Sequence, residues 1–299
     1  MRSRLLVPVL ATAIISTALA QNERLLFGMT LDGGKTFDRC VSANGGSPVL
    51  EVAASDGGIL PFIFPTGKTV LEPLTIEVGA DAPSVYRWIQ NSFDRVTALS
   101  GAVDTLANSG GKTTTVTEFS NALLTEVDFP ALDATAKDAA KMTIKIQPET
   151  TKTTLRKGWD GTIKGRVQNL WSRSHFTLHI DGIDNGSTSG LIVISGVSVG
   201  YTYAKKAAIM DNQRITVPTV STGPYLEWLN SSTDSTGAAS LREGSITYFS
   251  TDGTAIGTLQ LHGLGIAGVV PADIDGDNGP TSTVRLYVSH GVSWLPAVQ

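Results

Sequence analysis

Apolar and polar residues alternate in short runs along most of this chain, and the runs stop at Gly, Asp, Pro or Asn. Phe27, Met29 and Leu31 alternate up to an Asp-Gly-Gly turn, and Met142, Ile144 and Ile146 alternate further on. A period of two puts one set of side chains on one face of a strand, so the pattern predicts half-buried β-strands throughout. Further strands are expected around residues 48–54, 58–64 and 70–78, through the Thr-rich stretch to Phe119, and over 122–127. The later part adds 190–203, 246–249, 256–261 and 284–288. Two segments break the period. Val85, Trp88, Ile89 and Phe93 fall at i, i+3, i+4 and i+8 behind Pro83, which predicts a helix with Trp88 against a sheet. A shorter Trp helix is expected over 225–230, behind Gly223 and Pro224.

The pattern repeats. The string FGMTLDG at 27–33 is echoed by FTLHIDG at 176–182, with 176 − 27 = 149. Trp88 and Ile89 are echoed by Trp228 and Leu229, with 228 − 88 = 140, and Phe119-Ser120 by Phe249-Ser250, with 249 − 119 = 130. Three echoes in the same order imply two similar units, and tandem copies of one surface suit assembly better than catalysis. The expected organisation is a signal peptide at 1–20, a first domain at 21–150, a linker at 151–172 and a second domain at 173–299. Each domain is read as a β-barrel or sandwich with one short flanking helix, in a mainly β fold.

Composition narrows the partners. Net charge is −4 and no basic block occurs, so nucleic acid is not an expected partner. The charged fraction of 17% is low beside a hydrophobic fraction of 41%, in keeping with a β-rich chain that has residues enough for cores. At the N-terminus, Arg2 and Arg4 precede an apolar run over 5–20 that ends in Ala18-Leu19-Ala20. That is an export signal with its cleavage site, and the run is shorter than the ~20 residues of a membrane span. The mature chain is expected to be secreted, extracellular or at the cell surface, with no spanning helix. Cys40 is the sole cysteine, so no intrachain disulfide can form, and burial is its expected state.

Several strings suggest chemistry. Gly196, Ser198 and Gly200 match G-x-S-x-G, but a nucleophile elbow needs a sharp strand-to-helix turn, and here Val and Ile alternate straight through. Three Gly-Lys-Thr strings begin at Gly34, Gly67 and Gly111, and the positions where a P-loop needs its first glycine hold Met29, Phe62 and Leu106. His175 and His179 have helical metal-pair spacing, yet four residues of strand span about 13 Å. Asp273, Asp275 and Asp277 alternate in a Gly-containing loop that suits Ca²⁺, although the twelfth position of an EF-hand is Val284. An acidic surface turn is the competing reading, and no other cofactor is expected.

In order and spacing, FGMTLDG (27–33), LEPLTIEVG (71–79), YRWI (86–89) and FPALD (129–133) leading into MTIKI (142–146) resemble the phage tail tube family, also the inner-tube fold of contractile injection systems. The resemblance covers about residues 25–150. The second copy keeps the opening strand and the Trp helix and lacks the proline-leucine strand. It implies small β-barrels that pair side by side into six-membered rings, stacked into a hollow tube. Two units per chain would let three chains imitate a hexamer. An export signal departs from the family, whose tubes assemble in the cytoplasm. The resulting expectation is a non-enzymatic structural subunit that partners itself and polymerises outside the cell. The alternatives are a secreted glycan-binding module stacking sugars on Trp88, Trp159, Trp171, Trp228 or Trp294, and a secreted serine hydrolase using Ser198.

Overall fold

The computed structural model describes residues 26–31, 36–55, 62–106, 113–157, 169–183, 193–202, 207–210, 213–232, 240–271 and 280–297. The first half contains β1 (Leu26–Leu31), β2 (Thr36–Gly45), β3 (Pro48–Ser55), β4 (Phe62–Leu71), β5 (Leu74–Val78), α1 (Pro83–Asp94), β6 (Leu99–Leu106) and the long β7 (Thr113–Phe129). Two short strands follow, β8 (Leu132–Asp133) and β9 (Ala139–Ala140), then β10 (Met142–Gln147) and β11 (Thr150–Lys157). The second half contains β12 (Trp171–Ile180), β13 (Val193–Ile194), β14 (Val197–Thr202), β15 (Ala207–Met210), β16 (Gln213–Pro218), α2 (Gly223–Ser232), β17 (Arg242–Ser250), β18 (Ala255–Pro271) and β19 (Thr281–Pro296). The fold is mainly β with two helices, as the alternation predicts.

In the first half, pairing runs β10-β5-β2-β1-β6-β7 and returns from β7 to β10, which closes an antiparallel ring. A closed ring leaves no free edge within itself. Its core face carries Met29, Leu31, Ile76, Val78, Ile144 and Ile146, all nearly inaccessible. The second sheet is ordered β8-β13-β16-β19-β18-β17-β12-β9. Within these sheets the sequence β1-β6-β7-β10-β5 recurs as β12-β17-β18-β19-β16, and a helix follows the last member in both. Two of the three sequence echoes fall on equivalent elements. Met29 and Leu31 correspond to Leu178 and Ile180, all buried. Trp88 and Trp228 are likewise buried, and each indole Nε1 donates to a carbonyl two residues ahead of the next strand: Thr97 at 3.1 Å and Ser240 at 2.7 Å. The third echo is coincidental, because Phe119 lies on β7 and Phe249 on β17, the counterpart of β6.

The halves are interlocked. β8 and β9 leave the first half and pair with β13 and β12 of the second sheet, while β14 leaves the second half and pairs with β7, carrying β15 beside it. One hydrophobic cluster runs through both halves. At its centre Tyr86, Phe129, Trp171, Tyr248 and Trp294 pack at ring-centroid distances of 5.1–6.3 Å. The halves thus exchange strands and share one core. The segment expected as a linker, 151–172, holds most of β11 and the start of β12, and residues 158–168 lie outside the described residues.

Two polar contacts explain local geometry that propensity does not. Ala82 gives α1 no side-chain cap, and the buried carboxylate of Asp38 on β2 accepts from Val85 N at 2.9 Å and from Ser84 Oγ at 3.3 Å instead. Burial raises the Asp38 carboxyl, with the Val85 and Ser84 bonds opposing. Asp38→Ala is expected to cost about 1–2 kcal/mol, since an N-terminal helix donor loses its acceptor; urea denaturation followed by circular dichroism measures it. Asn121 supplies the second contact. It takes φ 46° in β7, donates through Nδ2 to Glu149 Oε2 at 2.7 Å, and so fixes the bend where β7 changes partner from β11 to β10.

Candidate functional site

Ser198 sits in mid-strand on β14, paired with Asp128 of β7, and its Oγ donates to Glu126 Oε1 at 3.4 Å. Lys145 Nζ lies 2.8 Å from Glu126 and 3.9 Å from Asp128. The hydrogen bond from Lys145 holds Glu126 below the usual carboxylate range, the reverse of what a general base for Ser198 needs. Burial raises Asp128, the neighbouring Glu126 charge adding to it and the Ser198 hydroxyl opposing. Ser198 and Gly200 thus lie along the β14 ladder, Gly196 sits in the two-residue connection that carries the chain over from β13, and Ser198 is followed by strand rather than helix.

His175 and His179 stand on the exposed face of β12, and His179 Nε2 lies 3.0 Å from Asp181 Oδ1. No group of three or more metal-ligating side chains occurs among the described residues. Asp273, Asp275 and Asp277 lie outside the described residues. Cys40 is buried, and burial pushes its thiol well up. Trp88, Trp171, Trp228 and Trp294 are each at most 1% exposed, which withdraws them as sugar-stacking platforms; Trp159 lies outside the described residues. Among the described residues no helix is long and apolar enough to cross a membrane.

A small polar cleft of about 140 Å³ lies where the halves meet, near Asp81, Asn169 and Asp252. Asn169 fastens it: its backbone N–H donates to Asp81 Oδ2 at 3.1 Å and its side-chain amide to Asp252 Oδ2 at 3.0 Å. Asp252 also accepts from Ser250 Oγ and, at 3.0 Å, from Thr254 N. The Ser250 bond, then the Thr254 bonds, lower its carboxyl from 3.8 to about 2. A lowered folded-state value means the contact stabilises above pH 3.8 and is lost as pH falls through about 2. Carboxyl NMR titration of Asp252 should give a midpoint near 2, and a midpoint at the ordinary value would show that the Ser250 and Thr254 bonds do not form.

Two surface features stand apart from the core. Among the described residues β3 and β4 pair only with each other, as an arm whose Val49, Leu50, Val52 and Val70 are 42–59% exposed. Val49 faces Val70 across the arm while Leu50 and Val52 point to the opposite face, so apolar side chains meet water on both sides. A lone two-stranded hairpin is marginal in water. Beside the arm's root, Thr151 Oγ1 donates to Gly46 O at 2.7 Å, and β11 pairs with β7 on one side only. Among the described residues no strand pairs with its other edge, which carries Leu155, 69% exposed.

The remaining cluster was not visible in the sequence. On the outward face of β17, β18 and β19, Glu243 Oε2 lies 2.8 Å from His262 Nδ1, and His262 Nε2 lies 3.0 Å from Ser293 Oγ. Ser293 Oγ is in turn 3.0 Å from the side-chain oxygen of Gln260. The ladder register shifts at Gly263, φ 66°, and there Gly263 N donates to Glu243 Oε1 at 3.2 Å. The bulge aims the carboxylate at the imidazole. His262 hydrogen bonding, then the Gly263 bond, lowers the Glu243 carboxyl. A carboxylate cannot donate, so Nδ1 carries the proton in the neutral ring and Nε2 is left as an acceptor; the single Ser293 proton, donated to Gln260 Oε1, reaches Nε2 only when the hydroxyl rotates. Compared with known proteins, the chain matches no family model, and no curated protein is significantly similar to it.

Proposed function

We propose that this chain is an exported structural subunit that assembles with copies of itself, by rings that stack, into an extracellular tube or filament. The observation that carries the reading is the strand order β1-β6-β7-β10-β5 recurring as β12-β17-β18-β19-β16, since two like units in one chain let three chains build a ring of six. The resemblance of residues 25–150 to tail tube proteins supports the same arrangement, and the apolar run at 5–20 supports export. In this reading the open edge of β11 pairs laterally with a neighbour, because an unpaired ladder gains hydrogen bonds from a second strand. The β3–β4 arm reaches an adjacent copy and covers Leu50 and Val52 there.

Sedimentation of the signal-cleaved protein tests this, with and without Ca²⁺. Wild type should sediment as large assemblies. Leu50→Asp combined with Val52→Asp should reduce assembly at least tenfold at equal concentration while leaving the circular dichroism spectrum unchanged, because both side chains are already in water. Wild type remaining monomeric over the whole concentration range would overturn the reading.

A further inference from the structure

The cluster on β17, β18 and β19 sets the Ser293 hydroxyl between an imidazole held by Glu243 and the Gln260 carboxamide, to whose oxygen the hydroxyl donates at 3.0 Å. We propose that Ser293 and Gln260 react to form an ester that covalently joins β19 to β18, with His262 as the catalytic residue and Glu243 as its positioning residue. Ser293 and Gln260 are directly opposite in the ladder, so their side chains share one face. The Ser293 oxygen lies 3.0 Å from the Gln260 carboxamide oxygen and 3.0 Å from His262 Nε2. A carboxamide is a poor electrophile, but holding it against a base-assisted hydroxyl replaces a bimolecular encounter by an intramolecular one, with effective molarities on the order of 10⁵–10⁸ M in well-oriented cases.

The step balances without any co-reactant. Glu243 accepts a hydrogen bond from the Nδ1–H of His262, which leaves the Nε2 lone pair toward Ser293 Oγ, and the Ser293 hydroxyl rotates from Gln260 Oε1 to donate to Nε2. As the bond from Ser293 Oγ to the Gln260 carbonyl carbon forms, the hydroxyl proton passes to Nε2. The tetrahedral intermediate then collapses: the carbon–nitrogen bond breaks, Nε2 returns the proton to the departing nitrogen, and ammonia leaves. The products are one side-chain ester and one ammonia. Ser245 stands opposite Gln260 on the other side, with its hydroxyl-bearing side chain on the same face of β17. The chain has one cysteine, and it is buried, so this cross-link supplies a covalent tie that a disulfide cannot.

The test uses the full signal-cleaved chain, incubated at neutral to mildly alkaline pH and measured by intact-mass spectrometry. The expected product is lighter than the sequence by one ammonia. Trypsin cuts after Arg242 and Arg285, so residues 243–285, holding Gln260, and 286–299, holding Ser293, should emerge as one joined species. Hydroxylamine should separate them. Ser293→Ala should keep full mass, and Glu243→Gln should form the link more slowly, with a shifted pH–rate profile rather than a changed product. Conversion of the Gln260 carboxamide to a carboxylate in wild type but not in Ser293→Ala would also support the transfer, the ester having then been hydrolysed. Folded wild type that retains full mass, separate peptides and an intact Gln260 carboxamide would overturn the proposal, whatever the variants do.

Discussion

Trp171→Ala is expected to lower stability by about 3–5 kcal/mol, the usual cost of emptying a buried tryptophan site, and to do so for the whole molecule in one transition. Trp171 is 0% exposed. It contacts Tyr86 at 5.9 Å, Phe129 at 6.2 Å, Tyr248 at 5.2 Å and Trp294 at 6.2 Å between ring centroids. Tyr86 and Phe129 belong to the first half, Tyr248 and Trp294 to the second. The cavity left by alanine therefore opens at the seam, where no single half can close it by relaxing alone. Calorimetry reads the outcome: one peak, shifted down, follows from a shared core, whereas two peaks with one unmoved would show halves that unfold independently. Among the described residues Trp171 Nε1, Tyr248 Oη and Trp294 Nε1 find no hydrogen-bond partner at this seam. Trp171→Phe therefore loses ring area without losing a bond, and should cost less than alanine.

Trp228→Ala should cost about as much, roughly 3–5 kcal/mol, by a different route. The indole fills the space between α2 and β18, and its Nε1 is bound to Ser240 O. The Arg242 guanidinium lies 4.7 Å from the ring centroid and donates to Asp181 O at 2.8 Å. Alanine thus removes a core side chain, strands a carbonyl and frees the arginine that ties β17 to the turn after β12. Trp88→Ala should give a similar loss, because Trp88 occupies the matching place under α1 with the matching bond to Thr97 O. Urea denaturation of the two variants should show losses within about 1 kcal/mol of each other, since matched burial and bonding give matched transfer and cavity costs. A loss at one site and none at the other would break the equivalence of the halves.

Much of the fold was legible because strand and helix periods are local. Met142, Ile144 and Ile146 alternate and are buried; Val85, Trp88 and Ile89 recur at helical spacing and are buried. The ends of the chain's two echoes, Leu31 with Ile180 and Trp88 with Trp228, were readable as pairs for the same reason. The exchange of β8, β9 and β14 between halves was not. Ala139 and Ala140 form a two-residue strand with no pattern of their own, and which sheet they join depends on pairing far along the chain. The triad was hidden for a related reason. Glu243 and His262 are 19 residues apart, and His262 and Ser293 are 31 apart. Gln260, His262 and Ser293 lie on strands longer than the expected 256–261 and 284–288, and only the register of β17, β18 and β19 puts them in one row. Ser198 was conspicuous in sequence because Gly196 and Gly200 flank it at two residues, but the strand continues past it where a nucleophile elbow needs a helix.

The open edge of β11, the apolar arm of β3 and β4, and the two like halves bear on one claim, which is self-assembly. Electron micrographs of the protein without residues 1–20 test it most directly, with class averages taken down the assembly axis. The account predicts stacked rings, each with three chains arranged as six similar lobes around a lumen. Dispersed single chains at every concentration and ionic condition, Ca²⁺ included, would contradict it.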